Sequence, residues 1–400
     1  MLSRWSPELR LCVEACRRDF EGLASEAPID WYKLRDLARS HHIEPLVGRA
    51  LKCGRLEGAP DEIRVWFEQQ VRHHEFQSLR TQVAAVQTTQ VLAAHGIPSI
   101  LLKGPAVSHR YYAHPGSRQN VDVDLLVREA DAIRARSALE EAGFVNLSAD
   151  AENLSAVHFG AYMRMIGAVV CRNPRHEVEV DLHWQAVRPH RLDWSYSALE
   201  DHIEELRFGG CSLGVLDNAA QFLFLTYHGA KHGWARLKWL ADLDRMVPHL
   251  SPRDVETIWK LTDRDGTGDI VMASLEIYGA VFGRDLAGLG VDAARRRSAN
   301  VARLGRYIEG AAIQKPFAEM NLLEKLGSRG RYYLYLWRWR RSLQARLQLI
   351  PMFLADRRHV QRLRLSERWF WLYVVAGPLI ALLMFAERRW CELRSRRARV

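Results

Sequence analysis

The chain has 400 residues, an ordinary hydrophobic content of 48% and a formal net charge of +10, so it can hold two or three domains with cores of their own. The charge is uneven: from Arg329 onward there are 17 Arg, no Lys and 4 acids, which gives the tail +13 and leaves −3 on everything before it. A near-neutral body excludes a nucleic-acid groove running over the whole protein, and the tail is matched to an anionic surface.

Six Cys are scattered with no C-x-x-C pair, and Cys12 and Cys16 have helical i,i+4 spacing. Neither a zinc site nor a disulfide framework is expected, and reduced cytosolic thiols are. The first 15 residues lack an apolar core of signal-peptide length, so export is not expected.

In chain order, residues 1–94 read as a helical region. Its last segment, from Ala59 through "DEIRVWFEQQVRHHEFQSLRTQVAAVQTTQVLAAHG", has helical apolar spacing and stops at Gly96. "IPSILLKG" is a short apolar run closed by glycine, suited to a central strand, and Pro105 is well placed for the first turn of a following helix. "NVDVDLLV" predicts a second strand, and "READAIRARSALEEAGF" an amphipathic helix. "FGAYMRMIGAVVCRNPRHEVEVDLHW" predicts β structure with a turn at "RNPRH". From Asp193 to about Leu326 the pattern reads as helical again. A basic, aromatic tail follows over 327–400. The expected organisation is α+β: a small mixed-sheet core at 95–190, flanked by an N-terminal helical region and a helical domain at 191–326.

One strand is chemically odd. Carboxylates are poor strand residues, and burying one unpaired is costly. Yet Asp122 and Asp124 stand between Val121, Val123, Leu125, Leu126 and Val127. Residues i and i+2 share a face, so the two acids project together, about 6.5–7 Å apart at Cα. "HEVEVDLHW" repeats the device, with Glu177, Glu179, Asp181 and His183 on one face. If the two strands are neighbours, three carboxylates converge, and such a cluster repels itself unless cations sit in it. Mg²⁺ suits carboxylate and phosphate oxygens, and a two-ion site can activate an attacking oxygen and stabilise a leaving one. Upstream, Gly104 permits close backbone approach. The helix after it aims N–H groups forward, and Lys103 is available to neutralise phosphate charge.

Together these residues resemble the polymerase-β-like nucleotidyltransferase superfamily. More narrowly, the chain resembles a bacterial family known only as uncharacterised nucleotidyltransferase. The resemblance rests on "LLKGPAVSHRYY", "GSRQNVDVDLLV", "VDLHW" and "HGAKHGWARLKWLADL", in that order, over about residues 95–250. It implies an NTP substrate, Asp122 and Asp124 as Mg²⁺ ligands, Asp181 as third carboxylate with Glu179 in reserve, and Gly104 as the phosphate turn. The wider superfamily usually carries Gly-Ser at that turn, where this chain has Lys103, Gly104 and Pro105.

Arg118, four residues before Asp122, is a candidate phosphate or carboxylate clamp. His183 is a candidate to orient Asp181 or touch substrate. His228 and His232, i,i+4 on a predicted helix, are expected to face the nucleotide or acceptor rather than a metal, with Lys231 and Lys238 as phosphate partners. The acceptor implied is a small molecule, a sugar or a peptide-derived product. The alternative is a catalytically weak or inactive NTP-binding scaffold. In the tail, Trp369–Ala386 runs 18 residues without a charge, has Pro378 at its middle and is flanked by arginines. That pattern is expected to give a reversible contact with the cytoplasmic face of a membrane.

Overall fold

The computed structural model describes residues 5–20, 28–147, 167–187, 192–208, 210–291, 298–313, 322–340, 342–347, 349–350, 367–369, 371–377 and 379–380. Four helices come first: α1 (Pro7–Cys16), α2 (Trp31–Ser40), α3 (Glu44–Lys52) and α4 (Asp61–Ala94). Ser6 and Asp30 cap α1 and α2, each accepting a backbone N–H with its side chain. At 34 residues α4 runs about 51 Å, and the chain then turns at Gly96 with φ +68°.

The sheet follows: β1 (Ser99–Leu101), β2 (Asp122–Val127), β3 (Val145–Asn146), β4 (Ala168–Asn173), β5 (Val178–His183), β6 (Ile203–Phe208) and β7 (Cys211–Leu216). Among the described residues, the α-helices α5 (Pro105–Tyr111) and α6 (Ala132–Glu141) lie among the strands. The strand order is β3-β4-β5-β2-β1-β7-β6. The β2–β5 and β1–β7 pairs are parallel and the remaining pairs antiparallel. The predicted central strand, β1, is therefore interior, and the acid-bearing β2 directly beside it is the middle strand of the seven.

The sheet reaches further along the chain than the 95–190 core expected from sequence. Residues 203–216 form a β-hairpin where a helical pattern was expected. β6 is an edge strand with several exposed polar side chains, so it lacks the apolar alternation of a half-buried strand. What fixes β7 is long-range. It pairs with β1, and at the crossing a Cβ on Gly214 would stand 2.8 Å from the Ser99 carbonyl oxygen.

After the sheet come α7 (Asn218–Lys231), α8 (Leu237–Met246), α9 (Pro252–Asp265), α10 (Gly268–Phe282), α11 (Ala299–Ile313), α12 (Leu322–Trp337) and α13 (Leu343–Leu347). The helical regions on either side of the sheet share one core. Cys12, Leu34 and Phe67 pack in the same cluster as Phe222, Leu243, Ile270 and Trp339, and that cluster covers the sheet face presenting Ile100, Leu102 and Leu126. The opposite face, with Val123, Leu125, Val180 and Leu182, packs on the C-terminal half of α4 and on α6. Tyr373, in a helical stretch at 371–377, is buried in this second cluster. The remainder of the expected apolar segment 369–386 lies partly outside the described residues. Among the described residues no helix is long and apolar enough to cross a membrane.

Candidate active site

The alternation that buries Val123, Leu125 and Val127 on one sheet face puts Asp122 and Asp124 on the other, in line with Leu126. β2 and β5 run parallel in a register that sets Asp122 beside Glu179 and Asp124 beside Asp181. The carboxylates therefore meet, as the face-matching predicted. Asp124 is 2% exposed, and Asp181 is half-buried. Glu179 is exposed.

Lys103 lies in this cluster. Its Nζ is 2.9 Å from Asp124 Oδ2 and 3.4 Å from Asp122 Oδ2. Burial alone would lower the lysine's pKa, but the charges of Asp124 and Asp122 outweigh it and raise the value overall. Burial acts on Asp124 in the other direction, and Lys103 together with His183 more than reverses it, so its carboxyl is held well below the usual range. Asp181 is pushed up to about 6 by burial first and by the Asp124 charge second. His183 Nε2 lies 3.0 Å from Asp124 Oδ1, so its partner is Asp124 rather than the expected Asp181.

The donor set fits a divalent cation. Ligand atoms of Asp124, Asp181 and His183 all lie within 4.8 Å of one another. Asp124 Oδ2 is buried and is met by the Lys103 ammonium at 2.9 Å, a cation in the place a metal ion would take. This tight group includes His183 and does not include Asp122, the first of the two expected ligands.

The glycine turn stands against this cluster. Gly104 has φ +65°, and a Cβ there would meet the Asp122 carbonyl oxygen at 3.1 Å. Leu102 N–H donates to Asp124 O at 2.9 Å, which ties the turn to the strand. α5 starts immediately after, with Pro105 in its first turn and Ala106, Val107 and Ser108 buried.

The chain belongs to the uncharacterised nucleotidyltransferase family. That family's profile, described as "Uncharacterised nucleotidyltransferase", matches residues 27–283, well over half of the sequence. The match takes in the turn, both acid-bearing strands and helices α7 to α10. No curated protein matches the chain. Among solved structures, the chain is similar to an antigenic nucleotidyltransferase-like protein from Paracoccidioides brasiliensis, at 15% identity and a TM-score of 0.33 over 52% of this chain and 99% of that one.

Arg118 sits elsewhere than expected. It is buried, donating from Nε and Nη2 to the two carboxylate oxygens of Asp242 at 2.8 and 2.9 Å. Its Nη1 donates to Asn120 Oδ1 at 2.6 Å, and Asn120 in turn donates to Ser108 Oγ. The Tyr112 hydroxyl also donates to Asp242, at 2.7 Å. The arginine thus ties the loop entering β2 to helix α8 instead of reaching into a nucleotide cleft. Asp242 escaped the sequence reading, although a signal existed. "LADLD" puts Asp242 and Asp244 in a mostly apolar run whose five residues are all buried, around the whole circumference of α8, and buried acids demand partners.

His228 and His232 form an aromatic cluster with Trp239. The ring centroids are 5.0 Å apart between the two histidines and 5.0 Å between His232 and Trp239, whose planes stack. Burial is the main cause that lowers both pKa values, and the Lys103 charge adds to it. Both rings thus favour the neutral form. Lys231 closes the last turn of α7. Lys238 is pushed down to about 7, first by burial and then by the Arg118 charge, against opposing pulls from Asp242 and Asp122.

Proposed function

We propose that the protein is a Mg²⁺-dependent nucleotidyltransferase. The acceptor oxygen would attack the α-phosphorus of an NTP, forming a new P–O bond as the bond to pyrophosphate breaks. The observation that carries this reading is the juxtaposition of Asp122, Asp124 and Asp181 on neighbouring parallel strands beside the Gly104 turn. Divalent cations held there would neutralise phosphate charge and lower the pKa of the attacking hydroxyl. Asp122 and Asp124 would hold them, with Asp181 completing the set or accepting the acceptor's proton; a carboxyl poised near 6 suits that second role. His183 would fix the orientation of Asp124.

Lys103 neutralises the acids in the absence of metal and would turn to the phosphates once cations replace it. Gly104 would admit the phosphates close to the backbone. His228, His232, Lys231 and Lys238 would line the acceptor side, where a small molecule, sugar or peptide-derived product would bind.

Incubation with labelled NTPs, Mg²⁺ and cell extract tests the reading. Equal labelling by wild type and Asp122→Asn removes the assignment.

A second reading keeps the nucleotide but not the turnover: an NTP-binding scaffold. It is favoured by the Lys103 ion pairs, which already neutralise the acids, and by the proline that replaces a phosphate-binding serine after Gly104. Calorimetry that finds nucleotide binding without pyrophosphate release across a broad acceptor panel would support it.

We also propose a peripheral contact between the tail and the cytoplasmic face of an anionic membrane. Trp371, Val375 and Leu379, at four-residue spacing, are all more than half exposed, in a segment carrying net positive charge on both flanks. Co-sedimentation with phosphatidylglycerol vesicles checks this: loss of pelleting in Trp371→Glu/Val375→Glu is expected, and failure of the wild type to pellet would refute it.

A further inference from the structure

We infer that the protein carries a second ligand site, independent of the nucleotide reading, for a soluble anion bearing two or more negative charges, as a phosphorylated or polycarboxylic small molecule does. The site is a cavity of about 490 Å³ between the N-terminal helices, the end of α5 and the end of α8. That is a size that holds small-molecule ligands. Its wall contains Arg17, Arg18, Arg49, Arg55 and Arg245 and, among the described residues, no carboxylate. His114 and His249 add two further nitrogen-bearing rings, and Tyr111 and Tyr112 an aromatic side.

Five guanidiniums facing one space repel each other, so their partners matter. Arg17 is paired with Glu14 and Asp19, Arg18 with Asp244, and Arg49 with Glu75, all carboxylates outside the wall. Arg245 brings no acid of its own. It donates to the carbonyl oxygens of Cys16 and Ala241 and lies 4.6 Å over the Tyr112 ring. The exposed Arg55 side chain has no hydrogen-bond or ion-pair partner among the described residues. Among the described residues, two guanidiniums thus have no carboxylate partner, and planar guanidinium donors match carboxylate and phosphate oxygens. The bounded volume suits a small molecule rather than a nucleic-acid strand.

This site is separate from the acidic cluster. Tyr111 lies at the far end of α5 from Gly104, about 10 Å away along the helix. The two places also have opposite charge, so an anion free of metal is favoured only at the cavity. A hydrogen-bonded route nevertheless runs from the cavity wall toward the loop entering β2, since Tyr112 forms part of that wall and also donates to Asp242, the partner of Arg118.

Calorimetric titration with inorganic pyrophosphate in EDTA tests the inference, because without metal the carboxylate cluster repels that probe. Saturable binding is expected in wild type and unchanged in Asp122→Asn/Asp124→Asn. Arg55→Glu, at an exposed residue with no side-chain bonds to lose, is expected to weaken it by at least about tenfold, and Arg17→Glu to weaken it as well. Absence of binding in the wild type, equal affinity in Arg55→Glu, or loss in the aspartate variant would each overturn the site. Displacement of the bound pyrophosphate by phosphatidylglycerol vesicles would overturn its assignment to a soluble ligand. Loss of nucleotide transfer in the activity assay leaves this result untouched, so the two readings fail separately.

Discussion

Substituting Arg118 by Met tests whether that arginine is a structural tie or a phosphate clamp. The change removes the guanidinium and keeps most of the side-chain volume. Asp242, fully buried, then loses two charge-assisted hydrogen bonds of 2.8 and 2.9 Å and keeps only the Tyr112 hydroxyl at 2.7 Å. Stripping one partner from a buried ion pair costs about 3–5 kcal/mol, and the remaining hydrogen bond offsets on the order of 1 kcal/mol. A loss of about 2–4 kcal/mol is therefore expected, read from urea unfolding followed by tryptophan fluorescence. The double variant Arg118→Met/Asp242→Leu is expected to recover most of it, because an apolar pair of similar volume replaces buried ions at little cost. The same variant should bind Mg·NTP as wild type does. A single-variant loss below about 1 kcal/mol, the range of an exposed ion pair, would refute the reasoning. So would a double variant that is stable yet still fails to bind nucleotide, since that outcome requires the guanidinium at the phosphates.

Three further outcomes are expected. Lys103→Met removes an ammonium that competes for the carboxylates, so calorimetry should find tighter Mg²⁺ binding to the nucleotide-free protein together with slower transfer. Unchanged Mg²⁺ affinity would contradict the ion pairs at 2.9 and 3.4 Å. Gly104→Ala forces a Cβ into a positive-φ conformation 3.1 Å from a carbonyl oxygen; it should cost about 1–2 kcal/mol in unfolding free energy, and an unchanged midpoint would refute the strain.

Glu44 gives a pH signature. Burial raises its carboxyl from 4.5 to about 7, so between those values the folded chain holds a proton that the unfolded chain releases. Stability from this group falls as pH rises through that window, by up to about 3 kcal/mol. Glu44→Gln should therefore stabilise at pH 8 and be near neutral at pH 4, and equal effects at both would count against the burial argument.

Much of the candidate site was legible in the sequence, because a strand's two-residue period is a local geometric fact. Asp122 and Asp124 had to share a face, and Glu179, Asp181 and His183 another, whatever the fold. The glycine stop after "ILLK" and the helix after it were equally local. Register, by contrast, belongs to the sheet. Only pairing of β2 with β5 decided that Asp181 stands beside Asp124 while Glu179 stays exposed beside Asp122, because a shift of two residues keeps the face and changes the partner.

The partners of the long side chains were decided in the same non-local way. Lys103 meets the acids, His183 meets Asp124, and Arg118 reaches Asp242 across 124 residues of chain. The hairpin at 203–216 was hidden because its inner strand is defined by hydrogen bonds to β1, and those bonds leave no period in the sequence. Periodicity fixes which way a side chain points along its own element, and packing alone fixes what it meets there.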